Sequence, residues 1–110
     1  MRIRLEDFVA ETFRSYLGTS FRFRCPERAE GLLRLKLHEV RAASGSAGPL
    51  PVRRGGFFSL LFEAEVETRS AGGLYQIEHA DFEPSTLLIS RVSVPGRGAQ
   101  DAALFEAVFG

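Results

Sequence analysis

Glu63, Glu65 and Glu67 alternate along one stretch of chain. A row of carboxylates at that spacing could hold a hard cation, since such ions prefer oxygen ligands. A strand, however, sets alternate side chains roughly 7 Å apart, too splayed for a compact cage. The row reads better as a solvated or salt-bridged face. The two histidines, His38 and His79, fall on separate expected strands. His38 and Glu39 are strand neighbours that point to opposite faces, so they cannot cooperate. His79 shares parity with Tyr75 and Ile77 and is expected to point inward and bond locally. Cys25 is the only cysteine. It cannot form an intrachain disulfide or supply a zinc site, and it reads as a small core residue. There is no Gly-x-Ser-x-Gly elbow, phosphate loop or dinucleotide fingerprint. Arg54-Gly-Gly56 and Pro95-Gly-Arg-Gly98 read as turns. The expectation is therefore a protein that is not an enzyme, with no catalytic residue, cofactor or metal.

Charge is laid out more tellingly. Formal net charge is zero, with 14 basic and 14 acidic residues among 110. Free-standing nucleic-acid binders usually carry a basic excess, and none appears in the total. The zero hides two opposed halves: residues 1–54 hold eleven Arg/Lys against six Asp/Glu, and residues 55–110 hold three against eight. Arg22, Arg24, Arg34 and Lys36 alternate with apolar residues on two neighbouring strands. If Phe21, Phe23 and Cys25 face the core opposite Leu37, Leu35 and Leu33, then Arg22 opposes Lys36 and Arg24 opposes Arg34. Like charges directly opposed in a sheet are destabilising, so this face needs an acidic neighbour. Setting Leu37 against Phe62, Leu35 against Ala64 and Leu33 against Val66 supplies one, with Glu63 beside Lys36 and Glu65 beside Arg34. The rival arrangement is a head-to-tail contact between subunits, which would generate rings or filaments.

The elements that position these residues follow from periodicity. Leu5, Phe8, Val9, Thr12, Phe13 and Tyr16 lie on one face of an amphipathic helix expected over 5–17, with Gly18 as its stop. From Phe21 the period falls to two, and strands are expected over 21–25, 32–40, 57–66, 74–79, 86–94 and 103–109. Residues 42–56 form the one long loop. Six short antiparallel strands of this kind curl into a small barrel or a strongly bent meander, because closure removes exposed edges. The fold class is thus mainly β (α+β) and one domain, with the helix plugging one end or covering one face. The sequence has 10 Phe and no Trp, and most of these rings are expected in the core. On the third strand Phe57 and Leu61 lie opposite Phe58, Leu60 and Phe62. Either the helix covers them or they form an exposed patch that a partner fills.

Gly73-Leu-Tyr75-Gln-Ile-Glu-His79, Leu87-Leu-Ile-Ser-Arg-Val92 and Phe105-Glu-Ala-Val-Phe109 form a recognisable pattern. With Leu5-Glu-Asp-Phe8, Gly18-Thr-Ser-Phe21 and Phe57-Phe-Ser-Leu-Leu-Phe62, the chain resembles a bacterial family of domains of unknown function. After His79 it departs from that family's usual Pro-x-Leu-Gly turn, carrying Ala80-Asp-Phe-Glu-Pro84 instead. The family is associated with gene clusters encoding phage-tail-collar-like proteins. The resemblance implies a structural or accessory part of a tail-like or filamentous assembly. The partner expected is protein, either self in a homo-oligomer, ring or filament, or a tail-collar-like protein. Nucleic acid is the alternative partner, held by a small barrel with exposed aromatics beside the Arg22/Arg24/Arg34/Lys36 face. No run reaches the ~20 apolar residues of a membrane helix. The N-terminus lacks a stretch of signal-peptide length, so a cytoplasmic or particle-associated location is expected.

Overall fold

The computed structural model describes residues 2–25, 32–42, 58–93, 96 and 101–109. Alternating apolar residues build six strands: β1 (Ser20–Arg24), β2 (Leu32–Ala42), β3 (Phe58–Ala64), β4 (Gly72–His79), β5 (Phe82–Val92) and β6 (Leu104–Phe109). They close into an antiparallel barrel in the order β1-β2-β3-β6-β5-β4, with β4 returning to β1. The mostly β barrel with one short N-terminal helix is the class the periodicity predicts. The strand order, in contrast, is not that of a simple meander. β6 inserts between β3 and β5, and the chain crosses from β3 to β4 through residues 65–71. Period-two alternation decides which face of a strand turns inward, but it leaves the identity of the neighbouring strand open.

The crossing is held by specific bonds. The Arg91 guanidinium donates to the carbonyls of Thr68 (2.9 Å) and Ser70 (3.3 Å). The Ser70 hydroxyl accepts the Gly72 N–H at 3.1 Å and lies 2.9 Å from the Tyr75 hydroxyl. Gly72 enters β4 with φ +99°, and a Cβ there would lie 2.2 Å from the Ile89 carbonyl oxygen. Backbone meets backbone at that point, so no side chain fits.

The N-terminal segment differs from the continuous helix over 5–17. It forms a 3-10 helix at Leu5–Asp7, an extended break at Phe8 and Val9, and α1 (Ala10–Arg14), followed by turns through Gly18 at φ +83°. Geometry explains the break. On an unbroken helix, residues five apart diverge by about 140° around the axis, which sets Phe8 and Phe13 at opposite margins of the apolar face. With the break, both are fully buried and meet edge to face at 5.1 Å. Ahead of them, Ile3 pairs with β5, its N–H donating to the Asp81 carbonyl and its carbonyl accepting the Glu83 N–H, each at 2.8 Å.

The core is a cluster of phenylalanines. Nine of the ten lie among the described residues (Phe57 does not), and all nine are buried. Phe13 stacks on Phe82 at 5.1 Å and also meets Phe8, Phe21, Phe58 and Phe109. Helix α1 therefore plugs the barrel mouth. Cys25 is half-buried and packs against the core, as its place in the alternation predicts. Val66 does not join it: β3 ends at Ala64, and Val66 is 64% exposed. There the Ala64 N–H bonds the Ala103 carbonyl and the Glu65 N–H bonds the Arg34 carbonyl, after which the chain bends away.

Two substitutions test this packing. Phe13→Ala is expected to lose about 3–5 kcal/mol of unfolding free energy in urea denaturation, because the ring fills the mouth and its neighbours cannot collapse onto the void. Gly72→Ala is expected to destabilise by at least about 2 kcal/mol in the same assay, from a left-handed backbone plus a clash with Ile89.

Candidate interaction surface

The outward side chains of the barrel fall into two sectors. On β1 and β2 the register places Phe21 opposite Leu35, Phe23 opposite Leu33, and Arg22 opposite Arg34. This is two residues from the expected pairing of Arg22 with Lys36 and Arg24 with Arg34. Both registers keep Phe and Leu inward, so alternation does not separate them. The Gly18 and Leu37 N–H groups, bonding the Leu37 and Thr19 carbonyls, fix the observed one. On the other side of β2 the expected register holds, with Leu37 opposite Phe62, Lys36 opposite Glu63 and Leu35 opposite Ala64.

Closure changes the electrostatics of this basic sector. Arg22 lies between Arg34 on β2 and Glu78 on β4, and the Glu65 N–H bonds the Arg34 carbonyl. The two like charges are thus bracketed by carboxylates along one row. Arg24 donates to Glu78 at 2.8 Å, which holds the Glu78 carboxyl below its usual range, with the Arg22 charge adding to the effect. The Ser20 hydroxyl donates to Glu65 at 2.6 Å, Tyr16 donates to Asp81 at 2.9 Å, and Arg4 lies 3.6 Å from Glu83. Among the described residues, two ion pairs thus join the basic first half to the acidic second half, Arg24 with Glu78 and Arg4 with Glu83. An open cleft of about 490 Å³ remains between Ser20, Arg22, Arg34, Glu65 and Val66.

The remaining expected surface residues are not gathered into one site. Glu63 belongs to β3 and is half-buried, whereas Glu65 and Glu67 lie beyond the strand and are exposed. They do not form the single-face row that their spacing suggests. A larger open groove of about 800 Å³ lies nearby, bordered by Glu65, Glu67, Arg69, Arg91 and Asp101. Among the described residues no group of His, Cys, Asp and Glu is placed to hold a metal ion. Leu61 is 4% exposed and offers no surface to a partner. It points out of the barrel core, flanked by Glu39 on β2 and Glu106 on β6, with Leu104 on the next diagonal. The helix reading for Leu61 fails as well, because the buried residues of α1 belong to the core inside the barrel. Ala42, expected to open the long loop, ends β2, whereas residues 43–56 with Arg54-Gly-Gly56, Phe57 and most of Pro95-Gly-Arg-Gly98 lie outside the described residues.

His79 is packed locally, as its parity predicts. Its ring lies 4.6 Å from Phe21 and 5.3 Å from Tyr16, and Nδ1 accepts the Asp81 N–H at 3.0 Å. Burial pushes its pKa below 6.5 and the Arg22 charge adds to that, against an opposing pull from Asp81. His38 is exposed at a bulge in β2.

The second sector went unnoticed in the sequence. Leu74 on β4 lies opposite Leu88 on β5, and the pairing of Ile89 with Ala107 brings Val108 of β6 beside Leu88, one residue further along. The three are 60%, 62% and 68% exposed. With Val66 they are the only large apolar residues more than half exposed among the described ones. The signal was present in parity: Leu74 and Leu88 alternate with the inward Tyr75, Leu87 and Ile89.

A small closed β-barrel, plugged by an aromatic helix and carrying one charged and one apolar outer sector, is the class of domain these features define. The profile of the family described as Domain of unknown function (DUF6916) matches residues 8–109, and the chain belongs to that family. No curated protein and no solved structure matches it.

The environment of His79 gives a pH prediction. Its pKa is depressed in the folded state, so its contribution is complete above 6.5 and is lost as the pH falls, when the unfolded chain binds the proton more readily. The melting temperature is expected to fall between about pH 7 and about pH 5, and His79→Gln is expected to flatten that slope. An unchanged slope in scanning calorimetry would remove His79 as its source.

Proposed function

We propose that this domain is a non-catalytic structural or interaction module, self-assembling or docked on a phage-tail-like protein, and cytoplasmic or particle-associated. The observation that carries the reading is the division of labour between inside and outside. The described interior is filled by apolar side chains with no buried polar or charged residue. His79, the one histidine packed against that interior, has its Nδ1 engaged by backbone. Closure also removes most free strand edge, so recognition falls to outward side chains. A protein partner suits the charge-balanced surface better than nucleic acid does. Base stacking needs exposed rings beside the basic residues, and the described phenylalanines are buried. The tail-like assembly is the finer part of the proposal and rests only on what the sequence resemblance implies.

Light scattering after size exclusion, at low and high salt, tests this, with negative-stain imaging of any large species. Species larger than a monomer, or a stable complex with a tail-collar-like protein encoded nearby, are expected. A strict monomer under all conditions, with no such complex, would contradict the proposal. Self-association through apolar surface is expected to persist at high salt, where exposed ion pairs are screened.

A further inference from the structure

We infer that the cleft between β1, β2 and the residues after β3 is a carboxylate site, in which Arg22 and Arg34 together hold an acidic side chain of a partner protein; this rests on the interaction role proposed above. The two arginines lie directly opposite each other on β1 and β2, both are exposed, and both line the open cleft of about 490 Å³. The β-carbons of such a pair are about 4.5–5.5 Å apart, and like charges so placed are destabilising. The carboxylates at hand are engaged elsewhere. Glu78 takes bonds from Arg24 at 2.8 and 3.4 Å, and Glu65, which lines the same cleft, accepts the Ser20 hydroxyl at 2.6 Å. Arg4, Arg14, Arg24 and Arg41 each make an ion pair, whereas Arg22 and Arg34 make none among the described residues. A carboxylate offers two oxygens with about four lone-pair sites, so one group can accept from both guanidiniums and relieve their repulsion.

The surroundings select a short acidic segment over a polyanion. Glu65 borders the cleft on one side and Glu78 lies opposite Arg22 on the other, so a line of phosphates would meet carboxylates beyond the two arginines. The described phenylalanines are buried and give no stacking platform for bases. Beside the charges, the cleft continues into a hollow of about 190 Å³ that shares Arg34 and Val66 with it and is lined by Leu32, Leu33 and Ala64. The hollow exists because β2 outlasts β3. Pairing ends with Leu35 opposite Ala64, the Glu65 N–H takes the Arg34 carbonyl, and the chain then bends away from the start of β2. Leu32 and Val66 are left exposed at its border, and an aliphatic side chain next to the bound carboxylate would cover them. The partner segment is therefore one in which an acidic residue adjoins an aliphatic one.

Fluorescence anisotropy with a labelled peptide carrying one Glu–Leu pair between Gly and Ser residues tests the assignment on the intact protein. Its Gln–Leu counterpart and a single-stranded oligonucleotide serve as comparisons, and light scattering follows assembly in parallel. The Glu–Leu peptide is expected to bind at low salt and to be released as salt is raised. Replacing its Glu by Gln should weaken binding at least about tenfold, as should Arg22→Gln or Arg34→Gln. Arg41→Gln, at the far end of β2, should leave binding unchanged. Thermal melting checks each variant, and if one of the two arginine variants does not fold, the other decides. Equal binding of the Glu and Gln peptides, or binding that survives the arginine substitutions, overturns the site. Tighter binding of the oligonucleotide than of the peptide makes the cleft a phosphate surface and overturns it too. A wild type that assembles but ignores the peptide overturns the site and leaves the interaction role standing. Failure to assemble or to join a tail-collar-like protein contradicts the interaction role alone if the peptide still binds, and both if it does not.

Discussion

The burial of Phe13 in the mouth of the barrel is the constraint on which the other features depend. Six strands alone leave an open end lined by Phe21, Phe58, Phe82 and Phe109, and the Phe13 ring touches all four. Phe8 joins them only because the helix breaks ahead of Ala10. That break in turn lets Ile3 pair with the start of β5, beside the stretch that β6 does not reach. A three-turn helix would be marginal on its own. Here the helical residues are held by the aromatic cluster they complete, and local propensity yields to packing.

Closure also arranges the charge. The sequence looks polarised, basic in its first half and acidic in its second, a layout that invites head-to-tail assembly. The barrel places β1 and β2 between β3 and β4, so the basic strands acquire acidic neighbours on both sides. Glu78 reaches Arg24 and Glu65 reaches Ser20, while Lys36 has Glu63 opposite. Exposed pairs of this kind add little stability individually. Their larger consequence is that the basic strands lie beside acidic residues within the fold, with Arg24 paired to Glu78.

Much of this was legible in the residues, and the parts that were not have physical reasons. Alternation placed Phe21, Leu35, Phe62, Tyr75 and Ile77 inside, and it set β2 against β3 correctly through the Lys36–Glu63 pair. It could not show that β6 would part β3 from β4, since parity is blind to neighbour choice. The β1–β2 register slipped by two for the same reason: Phe against Leu is satisfied either way. Val66 fits the alternation of β3, yet it lies past the point where the Ala64 and Glu65 amides find their last partners. Leu61 looked like a surface anomaly and is covered. Leu74 and Leu88 looked like ordinary strand residues, and only the register shows them lined up with Val108.

The proposed role as an interaction module falls to the exterior, because the described interior is filled by apolar side chains. Methyl NMR spectra of Leu- and Val-labelled protein, recorded from dilute to concentrated solution and on addition of a tail-collar-like protein, address it most directly. The account predicts shifts among the outward methyls of Leu32, Val66, Leu74, Leu88 and Val108, with the core methyls of Leu35, Leu37 and Leu60 unmoved. Shifts confined to the core methyls, or none under either condition, would contradict it.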